Sequence, residues 1–80
     1  PRGADILPIL VRGSSGTLYR IDYGYLERLD GLGRRVASTC WQAPAEFPWV
    51  DRVWAMSLSL QYDEARVLRE FPWRTYGQEA

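Results

Sequence analysis

Apolar and polar positions divide this chain into blocks of different period. Ile6-Leu7-Pro8-Ile9-Leu10-Val11 is apolar on both faces, which suits a covered strand over 6–12. Pro8 has no N–H for a ladder, so that strand belongs at a sheet edge or over a bulge. Gly13-Ser14-Ser15-Gly16 then reads as a turn. Over 17–29, Tyr19, Ile21, Tyr23 and Tyr25 alternate with Leu18, Arg20, Asp22 and Gly24, the period of a half-buried strand. Gly24 inside this run suggests a bulge or bend.

Asp30-Gly31 is a strong hairpin signal, because both residue types tolerate positive φ. A two-residue turn there predicts a strand over 32–42 and a definite register. Leu29 would face Leu32, Glu27 would face Arg34, Tyr25 would face Val36, Tyr23 would face Ser38, and Ile21 would face Cys40. On the other face Arg20 would meet Trp41 in a cation–π contact, and Asp22 would meet Thr39. The rival is a helical turn from Tyr25 to Asp30, closed by Gly31.

Pro44 and Pro48 mark an extended connection. Over 53–62, Trp54, Met56, Leu58, Leu60 and Tyr62 alternate with Ala55, Ser57, Ser59 and Gln61, so a fourth strand is expected. A single long helix over 51–70 is the alternative, since Val53, Met56, Leu60, Val67 and Phe71 share a helical face. Residues 63–70 read as a short helix, with Asp63 as cap, Glu64 at the positive end and Arg69 at the negative end. Pro72 biases Phe71 out of helical geometry and stops it.

The expected fold is therefore α+β: a small antiparallel sheet of about four strands with one short helix near the C-terminus. Residues 1–80 form a single small domain, with 1–5 and 76–80 as loose ends. The expected core is Ile9, Ile21, Val36, Met56, Leu58, Leu60, Val67 and Leu68.

Composition narrows the chemistry. Hydrophobic residues make up 46% of the 80, enough to order a globular chain. Basic and acidic residues number ten each, so net charge is zero, and every basic residue is Arg. There is no His, Lys or Asn, and one Cys. The usual metal ligands, the usual general base and Schiff-base chemistry are missing, so no cofactor and no metal site is expected. Cys40 has no His to activate it and falls on the apolar face, so it reads as a small buried hydrophobe. Asp22, Asp51, Asp63 and Glu64 have no spacing that sets two carboxylates face to face. Gly13-Ser14-Ser15-Gly16 offers backbone N–H groups but lacks the Gly-Lys-Ser/Thr ending of a phosphate loop. The expectation is a non-enzymatic chain. An enzyme built on Asp and Tyr ranks last.

Aromatics are the compositional surplus, with four Trp, five Tyr and two Phe. Phe47-Pro48-Trp49 recurs as Phe71-Pro72-Trp73, each following a Glu, and reads as a corner over the core or as a gripping surface. Trp41, Trp49, Trp54 and Trp73 could wall a ligand pocket. These rings point to a protein-binding module that self-associates, as a homodimer, through an aromatic-rich surface. The candidate binding residues are Trp41, Phe47, Trp49, Trp54, Trp73, Tyr23 and Arg20. The alternative is a small-ligand or single-stranded nucleic-acid binder using stacked rings and Arg, though zero net charge disfavours nucleic acid. No apolar run spans a bilayer, and a lone Cys without a signal-peptide pattern fits a bacterial cytoplasm.

Overall fold

The computed structural model describes residues 8–22, 24–40 and 49–76, with only the backbone for 49–52. Five strands, β1 (Ile9–Arg12), β2 (Leu18–Asp22), β3 (Tyr25–Leu29), β4 (Arg35–Cys40) and β5 (Arg74–Thr75), form an antiparallel meander in the order β1-β2-β3-β4-β5. Two helices, α1 (Trp49–Tyr62) and α2 (Glu64–Glu70), enter between β4 and β5. The class is α+β, as the sequence predicts, with one more strand and one more helix than expected.

The core lies between one sheet face and the helices. Val11, Tyr19, Ile21 and Leu26 from the sheet meet Val53, Met56 and Leu60 of α1 and Val67 of α2, with Phe71 and Trp73 packed against them. Of the expected core, Ile21, Met56, Leu60 and Val67 are buried. Val36 and Leu68 are only partly buried, while Ile9 and Leu58 are exposed.

The expected strand over 53–62 is helix α1. Positions 54, 58 and 62 form one series of four-residue steps, and 56 and 60 form another. A helix places these series on opposite sides. Met56 and Leu60 are accordingly buried, whereas Trp54 is 66% exposed, and Leu58 and Tyr62 are exposed. The stretch after Val53 holds no β-branched residue and is rich in Ala, Leu, Met and Gln, which favours helix. The chain breaks at Asp63 rather than running as one helix. Asp63 makes no side-chain capping bond; its carbonyl accepts from Arg66 and Val67. α2 ends at Phe71, which is extended ahead of Pro72 as predicted.

Gly24, with φ of 84°, is a turn and not a bend inside one strand. Asp22 pairs with Tyr25 across it, and the long strand over 17–29 becomes two. The next turn is longer than the Asp30-Gly31 pair. The Asp30 carboxylate accepts from Leu32 N–H and Arg34 N–H, each at 2.9 Å, and the positive φ falls on Gly33. This displaces the whole expected register. Leu29 pairs with Arg35, Glu27 with Ser38, Leu26 with Thr39 and Tyr25 with Cys40, with a bulge between Arg28 and Leu29. Cys40 is exposed at the end of β4, contrary to the expected burial. Among the described residues no helix is long and apolar enough to cross a membrane.

The two sides of α1 respond differently to substitution. Leu60→Ala should cost about 2–5 kcal/mol, since Leu60 is fully enclosed. Trp54→Gln should stay within about 0.5 kcal/mol. Urea unfolding followed by circular dichroism reads both; comparable losses would contradict this orientation of α1.

Candidate functional site

Of the seven residues singled out by sequence, Trp54, Trp73 and Arg20 have described side chains, and these three point to different parts of the fold. Trp41, Phe47 and Tyr23 lie outside the described residues, and so does the side chain of Trp49. Trp54 stands on the outer side of α1. Trp73 faces inward. Its ring centroid lies 6.5 Å from that of Tyr19, the Arg28 guanidinium sits over it at 5.1 Å, and its Nε1 donates to the Val67 carbonyl. The second Phe-Pro-Trp unit is thus a core corner. Arg20 meets Glu27, and the contact expected between Arg20 and Trp41 lies outside the described residues. Among the described residues no aromatic cluster exists, and the rings are dispersed over the core, the open sheet face and the outside of α1. This overturns the aromatic-rich surface, and with it the stacked-ring alternative.

Two buried carboxylates stand out instead. The first is Glu64, 3% exposed at the start of α2. Its oxygens accept from Ser14 Oγ (3.2 Å), Ser15 N–H (2.8 Å), Ser15 Oγ (2.9 Å) and the Tyr19 hydroxyl. Gly13 leaves the space: an added Cβ would stand 2.6 Å from Glu64 Cδ and 2.8 Å from Tyr19 Cε1. The turn that could have cradled a phosphate therefore holds an anion of the same chain. Burial opposes ionisation of Glu64, yet the bonds from Tyr19, Ser15 and Ser14 outweigh it and hold the carboxyl below its ordinary pKa. Burial first, and then the bond to Glu64, push the Tyr19 hydroxyl well above its ordinary value. Neither group is poised for proton transfer near neutral pH. The cluster is a structural clamp.

The second carboxylate, Glu27, is also 3% exposed, but on the opposite sheet face. Strand alternation places Leu18, Arg20 and Asp22 of β2 and Tyr25, Glu27 and Leu29 of β3 on this face, away from the core. Glu27 Oε1 lies 2.8 Å from Arg20 Nε, and Oε2 lies 3.2 Å from Arg35 NH1. The Arg35 guanidinium also sits 4.4 Å above the Tyr76 ring, and the Tyr76 hydroxyl shares a 2.8 Å hydrogen bond with Ser38. Both arginine side chains remain nearly half exposed. Arg12, paired with Leu18, and Arg74, paired with Ser38, belong to the same face. Four arginines against Glu27 and Asp22 give this face positive charge on a chain that is neutral overall.

Arg35 and Glu27 were missing from the sequence-derived candidates, and Glu64 was weighed there only as an unpaired carboxylate at a helix start. The readable signal was Gly24: as a turn, it sets Arg20 directly across from Glu27. No local pattern announces Glu64, whose partners lie 45 to 50 residues away. No family model, no curated protein and no solved structure matches this chain.

Gly13→Ala should destabilise the fold by about 1–3 kcal/mol, because the turn and Glu64 must separate. Glu64→Gln should cost about 1–3 kcal/mol at pH 7. It should also change the pH profile. With its folded pKa depressed, Glu64 contributes its stability above about pH 4.3, and that contribution fades as pH falls toward the folded value. Denaturant midpoints between pH 7 and pH 3 should therefore fall less in Glu64→Gln than in the parent. Parallel profiles would contradict the clamp.

Proposed function

We propose that this chain is a non-enzymatic recognition module that holds an anionic protein partner against the open face of its sheet. The observation that carries this reading is Glu27, buried between Arg20 and Arg35 while both guanidinium groups stay partly open to solvent. One carboxylate orients two cations, so the pair is arranged in advance but only half neutralised. Arg35 is held further by the Tyr76 ring. Preorganised guanidinium groups lose little freedom on binding and meet carboxylates in bidentate geometry.

Two observations favour a separate protein over a second copy or an enzyme. A two-fold interface through this face would bring the same four arginines against themselves. Glu64 and Tyr19, both buried, are committed to each other inside the fold and leave no nucleophile–base pair there.

Titration of isotope-labelled protein with hexaglutamate at low salt tests this. Amide shifts should concentrate on β2, β3 and β4 around Arg20, Glu27 and Arg35, and should weaken as salt shortens the Debye length to about 8 Å at 0.15 M. Arg35→Gln should weaken binding on the order of tenfold, the loss of a charge-assisted contact. Shifts confined to the helices, or no saturable shift, would contradict the reading.

A further inference from the structure

Beside the arginines, the open face carries an apolar step. Leu18 and Leu29 are cross-strand partners at the end of the β2–β3 ladder, both half-buried. Leu29 forms one wall of a shallow depression of about 310 Å³ whose other walls are Arg20, Glu27, Gly33 and Arg35. Leu29 and Leu18 also line a neighbouring depression of about 290 Å³ that reaches Arg12. An apolar footing and a cationic pair thus share one wall.

From this we infer that the segment bound is an extended acidic polypeptide, with an apolar side chain on the Leu18–Leu29 step and a carboxylate two positions away over Arg20 and Arg35. The inference rests on the anion-binding reading of this face. The spacing comes from the sheet. Leu29 and Glu27 are alternate residues of one strand, about 6.8 Å apart. An extended peptide repeats its same-side positions at that interval, so an apolar residue at one position and an acid two later match both subsites. Charge complementarity selects the acid, because arginines outnumber carboxylates on the face. A nucleic-acid strand fits the face less well, because neither depression at the Leu18–Leu29 step is lined by a ring and unpaired bases find no stacking surface there.

The test uses a fluorescein-labelled heptapeptide, Ser-Glu-Ser-Leu-Ser-Glu-Ser, its counterpart with Ser in place of Leu, and a labelled oligothymidylate, all by anisotropy at low salt. The leucine peptide should bind about fivefold tighter than the serine peptide. That ratio should fall to near one in a Leu18→Thr/Leu29→Thr variant, which keeps β-forming residues at both positions. Arg35→Gln, which leaves the step intact, should weaken both peptides while preserving their ratio, and serves if the double variant does not fold. Equal binding of the two peptides would overturn this inference and leave the anion-binding face standing. Failure of both peptides to bind would overturn both. Tighter binding of oligothymidylate than of the leucine peptide would overturn the partner class.

Discussion

Glu64 belongs to the first turn of α2, yet all the donors that hold its carboxylate come from the sheet layer: Ser14 and Ser15 in the β1–β2 turn, and Tyr19 in β2. The Ser14 N–H also donates to the Leu60 carbonyl at 2.9 Å, filling an acceptor that α1 leaves open at its C-terminal end. One exposed turn therefore ties both helices to the sheet. A buried carboxylate without partners would cost several kcal/mol, so the arrangement is stable only with its donors in place. Gly13 makes this approach possible by having no side chain. The orientation of α2, and hence of Val67 and the Phe71-Pro72-Trp73 corner on Tyr19 and the core, follows from it.

The second buried carboxylate shows how the same chemistry takes a different role in a different place. Glu64 is enclosed and its oxygens are engaged by neutral donors, so it offers nothing to a ligand. Glu27 lies on the face without helices among the described residues and is engaged by two cations with remaining exposure. Burial with saturation yields a clamp. Burial beneath partly exposed guanidinium groups yields an oriented positive surface. With a net charge of zero, the chain acquires such a surface only by segregation. Strand alternation supplies it, sending Arg12, Arg20 and Arg35 to the face that does not carry the core.

What the sequence made legible was governed by local sterics. The turn at Gly13-Ser14-Ser15-Gly16, the edge position of the strand after Pro8 and the end of α2 before Pro72 each follow from one residue's backbone limits. Where two periods fit the same residues, tertiary contact decided. Trp54, Leu58 and Tyr62 satisfy an alternating strand and a helical stripe equally well, and the burial of Met56 and Leu60 on the other side of the helix separates the two. Asp30 misled for a related reason. Its side chain can organise a longer turn through Leu32 and Arg34, which moves the positive φ to Gly33 and shifts every later pair. The candidate site was not legible from ring content at all. Arg20, Glu27 and Arg35 meet only once Gly24 is taken as a turn and the Asp30 loop as five residues long, from Asp30 to Arg34.

The Ser15 amide offers the most direct test of the clamp. Ser15 is exposed and lies in a turn, where amides ordinarily exchange with solvent freely. Its N–H donates to Glu64, so it should open only when the turn and α2 part. Native-state hydrogen exchange should therefore give Ser15 an opening free energy close to that of core amides such as Tyr19 and Leu60. Exchange of Ser15 at the rate of an unstructured peptide, with the core still protected, would contradict the central claim that this carboxylate joins the two layers.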